Sequence, residues 1–273
     1  MMLFLLLGLY IDNSLRLSTG IIGNGMGGMM VLMDEGFSVF QNPAINYETR
    51  FNFVLGRWFY RTDNLTFGVS HKNNAIGIYY LNYGEVQGYD EYGIPTNKFT
   101  PYDMNIGYAR RFGLFGICIK NFQTRVDTIL FTGVVGGIGS YITLNKLAIG
   151  AKIDNIGAEL IHRVDVPAMM GIALRYSLLD DFKIFAEIRG KNFEISSGLL
   201  YKYEMLQIFA GAKYIRPEEY IERSSFSDCW FSGGVVVGFD EYEIGYSFVY
   251  TEFSNAHQIG IKLTPDLSSK KLF

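Results

Sequence analysis

Residues Tyr102–Arg111 read "YDMNIGYARR". Taken alternately, Tyr102, Met104, Ile106 and Tyr108 make one face, and Asp103, Asn105, Gly107, Ala109 and Arg111 make the other. Period-two alternation marks a strand whose two sides meet unlike surroundings. The scheme recurs down the chain. "EYEIGYSFVY" (Glu241–Tyr250) sets Tyr242, Ile244, Tyr246, Phe248 and Tyr250 against Glu241, Glu243, Gly245 and Ser247. "KLAIGAKID" (Lys146–Asp154), "LQIFAGAKY" (Leu206–Tyr214) and "HQIGIKL" (His257–Leu263) repeat it. In a soluble sandwich the outward faces carry Ser, Thr, Lys and Glu with few glycines, because Gly weakens a strand. Here the polar faces pair Gly with a charge, as in Gly150 with Lys152 or Gly211 with Lys213. A crowded, wet barrel interior explains that choice, and the aromatic ends of the apolar faces match girdles bracketing a lipid-facing band.

Segments of this kind lie near 50–60, 64–71, 75–83, 101–111, 113–122, 129–144, 146–154, 168–178, 182–189, 191–203, 205–214, 230–238, 241–251 and 257–264. They number about fourteen, an even count. The connections sort by parity. After the second, fourth and sixth strands come "KNN" near Lys72, "FG" at Phe112 and "LN" at Leu144. After the eighth, tenth and twelfth come "LLDD" at Leu178, "YKY" at Tyr201 and "FDE" at Phe239. Every long connection (Gly84–Pro101, Asn155–Pro167 and Ile215–Trp230) follows an odd strand. Short turns on one rim and long loops on the other are a transmembrane barrel's pattern. The sequence therefore predicts an all-β fold, an antiparallel barrel of about fourteen strands with an N-terminal plug. Its parts are a signal-like leader (1–11), the plug (12–46), the barrel (47–264) and a C-terminal tail (265–273).

Composition agrees. The 273 residues are 49% hydrophobic and 16% aromatic, with 31 Gly and 6 Pro. A formal net charge of −3 gives no basic footprint for nucleic acid. "MMLFLLLGLY" is too short to span a bilayer as a helix and reads as the apolar core of a secretory signal. Cys118 and Cys229 cannot build a disulfide framework, and His71, His162 and His257 lack metal-ligand spacing. No catalytic constellation is expected, and neither a cofactor nor a metal.

"GIIGNGMGGMM" (Gly20–Met30) contains Gly23-x-Gly25-x-x-Gly28, the spacing of a dinucleotide-binding turn. Met29–Phe40 could open the following helix, and Glu48 lies about twenty residues on. That motif needs a βαβ crossover, and this chain supplies hairpins instead. The alternative is a Gly-rich segment folded tightly inside the bore.

Four collinear stretches are similar to PorV/PorQ-like outer-membrane proteins, a family of the FadL-type fourteen-stranded barrels. They are "NGMGGMMVLMDEGFSVFQNPA" (Asn24–Ala44), "NYGEVQGYDEYGIPTNKFTPYD" (Asn82–Asp103), "IDNIGAEL" (Ile153–Leu160) and "EIGYSFVYTEFSNAHQIGIKL" (Glu243–Leu263). The tail "TPDLSSKKLF" departs from the family's habit of ending on the last strand's aromatic. The resemblance implies a bacterial outer-membrane barrel with periplasmic termini. It also implies a plug whose motif is Gly25, Gly27, Gly28, Asn42, Pro43 and Ala44. Some FadL-type members pass hydrophobic small molecules, while PorV-like members serve a secretion and surface-attachment machine. Partners expected are outer-membrane lipid, a hydrophobic ligand and secretion or surface proteins. Inward charges expected are Asp103, Lys120, Lys152, Arg175, Glu187, Arg189, Lys213, Glu243 and Lys262, either a selectivity network or paired charges fixing the plug. A soluble β-sandwich is the remaining alternative.

Overall fold

The computed structural model describes residue 15 and residues 17–45, 48–58, 62–90, 92–190, 193–215, 229–251 and 255–265. The leader at 1–11, positions 216–228 of the third long loop and positions 266–273 of the tail lie outside the described residues. Among the described residues one short helix, α1 (Ile21–Gly25), precedes the strands. The strands run β1 (Arg50–Arg57), β2 (Asp63–His71), β3 (Asn74–Asn82), β4 (Val86–Tyr89), β5 (Pro95–Phe99) and β6 (Tyr102–Phe112). They continue as β7 (Phe115–Val126), β8 (Ile129–Leu144), β9 (Leu147–Glu159), β10 (Met169–Ser177) and β11 (Phe182–Arg189). The last are β12 (Glu194–Tyr203), β13 (Leu206–Ile215), β14 (Cys229–Phe239), β15 (Tyr242–Tyr250) and β16 (Asn255–Leu263). All but β4 and β5 join in sequence order into one closed antiparallel barrel of fourteen strands, sealed by β1 against β16. β4 and β5 form a separate hairpin within the loop Gly84–Pro101.

The alternation resolves as the sequence requires. Along β6 the residues Asp103, Asn105, Gly107 and Ala109 are buried, whereas Ile106 and Tyr108 are exposed. Outward aromatics gather at both rims: Phe112, Phe115, Phe239 and Tyr242 at one, Tyr214, Phe231 and Tyr250 at the other. Between them the exterior is a band of exposed Ile and Leu, which only hydrocarbon solvates well. A strand of 11 residues such as β6, at ~3.3 Å per residue and tilted by ~40°, rises roughly 28 Å, enough for a band ~25 Å tall.

The tight rim is made by Lys72–Asn73, Gly113–Leu114, Asn145–Lys146, Leu178–Asp181, Glu204–Met205 and Asp240–Glu241. Lys72, Asn145, Glu204 and Asp240 adopt positive φ there, as two-residue hairpin turns demand. β12 carries Tyr201–Tyr203 in strand, so the expected turn at "YKY" moves on to Glu204–Met205. β9 runs to Glu159, which shortens the connection expected from Asn155 to residues 160–168. Not every connection on the loop rim is long: Asp127–Thr128 alone joins β7 to β8. Both barrel ends, Arg50 and Leu263, sit at the tight-turn rim, where they pair with Ser70 and Tyr242.

β9 contains a bulge. Pairing with β8 shifts from Gly136↔Ile156 to Ile138↔Ile153, leaving one extra residue on β9. Asn155 takes φ +60°, and both Asp154 and Asn155 are buried on the inner side.

Candidate functional site

Inside the barrel lies residues 17–45, almost wholly buried, and the wall is shaped to receive it. Inward glycines act as sockets. Ile21 lies against Gly245 and Gly260, Met26 against Gly198 and Gly211, and Val31 against Gly150 and Gly171. Phe37 fills the space over Gly68, and Phe40 that over Gly77. A methyl group added at Gly116 would lie 2.1 Å from the Pro43 carbonyl oxygen. These glycines are therefore explained by what they admit: a Cβ at any of them would occupy space the inner segment already fills.

The expected motif residues take distinct parts. Gly27 (φ +77°) and Gly28 (φ +74°) turn the chain in the left-handed region that favours glycine. Gly27 N–H donates to Ser232 Oγ at 2.8 Å, and Ser196 Oγ donates to the Gly27 carbonyl at 2.8 Å. Gly25 packs on the Phe209 ring. Asn42 Nδ2 donates to the carbonyls of Val31 and Ser140, each at 3.0 Å, while its Oδ1 accepts from Ala44 N–H at 3.0 Å. Pro43 and Ala44 thus sit in a turn tied to both the segment and the wall. Met29–Phe40 forms no helix, and among the described residues no strand precedes Gly23. The dinucleotide reading has no structural counterpart.

Several wall charges hold this segment through its backbone. Glu187 accepts from Met30 N–H at 3.0 Å and Val31 N–H at 2.8 Å. Arg189 Nη1 donates to the Gly28 carbonyl at 3.1 Å. Lys152 Nζ donates to the carbonyls of Phe40 and Gln41 at 3.3 and 3.0 Å. Arg50 Nη1 bonds the Asp34 carboxylate at 2.6 Å and reaches Glu48 with its other amino group. Inside the segment, Glu35 accepts from Ile22 N–H and Gly23 N–H at 2.7 and 2.9 Å, satisfying the first turn of α1.

The charges are also joined to one another. Glu187, Arg189, Glu194 and Lys213 form a chain, with Arg189–Glu194 at 2.8 Å and Lys213–Glu194 at 2.7 Å. The bulge on β9 lets Lys120 Nζ reach Asp154 at 2.6 Å and Asn155 at 2.9 Å. Of the other expected charges, Asp103 accepts from the Tyr83 hydroxyl and Arg175 donates to that of Tyr141 at 3.1 Å. Glu243 and Lys262 pair at 2.9 Å near the tight rim, beside a cavity of ≈ 40 Å³ that Ile21 and Glu35 also line. Buried ions of this kind persist only when paired and hydrogen-bonded. Asp154 and Glu194 were not singled out as inward charges, although both occupy the polar phase of their strands. Glu35 lies in an aperiodic stretch, where no pattern announces it. Just outside β1, the Arg50 guanidinium holds the Glu48 carboxyl below its ordinary range by hydrogen bond and charge.

Towards the loop rim the bore turns apolar. Leu17 lies beside Trp58, Trp230 and Val249, in a cluster that also takes in Leu81. Leu15 meets Phe122, Val126, Phe131 and Val135 in another, roofed by Phe99, Val164 and Val166. The roof is held by Glu159, which accepts from Ile161 N–H at 3.0 Å and His162 N–H at 2.6 Å. Outside, the hairpin β4–β5 exposes Tyr89, Tyr92 and Ile94. Among the described residues no group of three or more His, Cys, Asp or Glu is placed to hold a metal ion, and Cys118 and Cys229 are free thiols.

No protein-family model matches the chain, and no curated protein does. Solved structures do. The Pseudomonas putida toluene transporter TodX is similar with a TM-score of 0.59 at 13% identity, over 90% of this chain and 97% of that one. The Ralstonia pickettii toluene transporter TbuX gives 0.56 at 12%, over 91% and 97%. A Pseudomonas aeruginosa FadL homologue gives 0.55 at 9%, over 90% and 98%. At these identities the likeness is one of fold, and the fold is that of the FadL-type barrels.

Proposed function

We propose that this chain is an outer-membrane barrel that binds a hydrophobic small molecule at its loop rim and passes it along a bore closed by residues 17–45. The carrying observation is that Leu15 and Leu17 of the chain's own N-terminal segment pack into two apolar clusters under the loops, which together would form the ligand chamber once vacated. Apolar side chains in water-accessible bores are costly unless something apolar covers them. Here the N-terminal segment of the same chain does so. Support also comes from the shared fold with proteins described as toluene transporters. The two barrel ends at the tight-turn rim favour periplasmic termini.

The chain's 2 tryptophans, Trp58 and Trp230, both border the chamber and make the test direct. In lipid nanodiscs, titration with 1-bromohexane should quench their fluorescence saturably. Quenching that only tracks the bromide dissolved in lipid refutes the reading.

A second reading, membership of the PorV/PorQ-like group as a docking subunit for secretion or surface attachment, is favoured by the outer hairpin, where Tyr92 is 81% exposed. Under it, replacing Tyr89, Tyr92 and Ile94 by Ser abolishes co-purification of an envelope partner while bromohexane quenching is unchanged.

A further inference from the structure

On the inner faces of β2, β3 and β6, four side chains are buried and have no hydrogen-bond partner for the atoms that matter. Asn64 (both amide atoms), Thr66 Oγ1, Tyr79 Oη and Asn105 Oδ1 are orphaned, with exposures of 3%, 0%, 1% and 1%. They are neighbours. Thr66 pairs with Tyr79, and Tyr79 with Asn105, along a single rung. Asn64 lies on the same face as Thr66, two residues along β2. Thr19 of the inner segment, also orphaned at its hydroxyl, borders a cavity of ≈ 10 Å³ with Asn105, Leu15 and Leu17. That volume admits about one water molecule. Other inward polar atoms also lack a partner, among them Ser247 Oγ and Gln258 Nε2 on β15 and β16, but the longest run of adjoining ones lies here.

A buried polar atom without a partner is destabilising, and native proteins retain few of them unless water, an ion or a ligand completes them. We propose that this sector is a binding subsite for the uncharged, oxygen-bearing end of an amphipathic molecule whose apolar body lies in the chamber. The inference rests on the passage reading and narrows its substrate class to alcohols, ketones and their like rather than bare hydrocarbons. Two features of the site select that class. Its free groups are hydroxyls and amides, which both donate and accept. The nearest ions are already committed, Asp103 to Tyr83 and Lys120 to Asp154 and Asn155, so a charged head group would enter without a counter-ion. The apolar flank is adjacent: Asn105 pairs across to Phe122 and Asn64 to Leu81. Leu15 and Leu17 line the same small cavity, so a ligand arriving from the loop rim would displace them to reach the subsite.

The test compares two isosteres, 4-fluorobenzyl alcohol and 1-ethyl-4-fluorobenzene, by ¹⁹F NMR titration of the full chain in nanodiscs, with empty nanodiscs subtracted. The triple variant Thr66→Val, Tyr79→Phe, Asn105→Leu keeps size and removes the polar atoms. Its folding is checked by heat-modifiable gel migration, and Thr66→Val alone serves if the triple variant does not fold. The alcohol should weaken by about tenfold in the triple variant while the hydrocarbon stays within about twofold. Equal loss of both ligands, or no change in either, means the sector holds water alone and overturns the subsite. Should the native chain bind the hydrocarbon but not the alcohol, only the subsite fails. Should it bind neither, the passage reading fails and the subsite with it.

Discussion

Glu187 ties two backbone N–H groups of the inner segment to the wall and belongs to a buried chain of four charges. Its replacement by Ala leaves Met30 N–H, Val31 N–H and part of the Arg189 charge unmatched. Breaking such a buried arrangement costs about 3–5 kcal/mol. The loss falls on docking of the segment, not on the barrel ladder, so limited proteolysis should cleave within residues 17–45 of Glu187→Ala while the barrel stays intact. Gly211→Ala acts by crowding: its methyl would stand 2.4 Å from the Met26 backbone carbon. Overpacking of this sort costs about 1–3 kcal/mol. Gly136→Ala is the control, since its nearest neighbour would be 3.4 Å away, and its melting temperature should stay close to that of the native chain. Glu48 offers a pH-dependent case. Its folded pKa is depressed by Arg50, so its contribution is present at neutral pH and disappears as pH falls through that lowered value. A ¹³C-carboxyl NMR titration should place its midpoint below the ordinary glutamate value, and Arg50→Met should raise it. The inward charges were visible in sequence because each occupies the polar phase of an alternating strand. What each one touches was not, since its partners lie on a segment without a period.

At the scale of elements, a strand is legible when its two faces meet different surroundings, and most barrel strands here obey that rule, with β14 and the bulged end of β9 departing from it. "YDMNIGYARR" and "EYEIGYSFVY" became β6 and β15 with their faces as read. The inner segment is the opposite case. Its conformation follows from sockets supplied by distant strands, such as Gly198 and Gly211 for Met26 and Gly245 and Gly260 for Ile21. The sequence offered Met29–Phe40 only as a candidate helix for the rejected dinucleotide turn, and the described residues of the segment make α1 instead, whose first turn Glu35 completes from a distance. The hairpin β4–β5 was likewise hidden within a loop, because a two-stranded ribbon without a buried face leaves no alternation to read. Since β4 and β5 pair only with each other, excision of residues 86–99 with a short Gly-Ser bridge should leave heat-modifiable migration unchanged. Loss of that migration means the hairpin supports the barrel after all.

For the whole molecule, the sorting of loops by strand parity carried the topology. A closed antiparallel barrel has all odd-to-even connections on one rim, and only one rim bears short turns throughout. The bore, by contrast, needed coordinates: glycine sockets, backbone-directed charges and the orphaned sector on β2, β3 and β6 all depend on contacts between residues far apart in the chain. The claim on which the rest depends is that residues 17–45 fill and close that bore. Conductance across a planar lipid bilayer tests it most directly, comparing the full chain with one lacking residues 17–45, both first shown to migrate as folded barrels. The full chain should pass almost no steady current, and the shortened chain should open in large, uniform steps of a water-filled pore. Indistinguishable currents from the two would contradict the account.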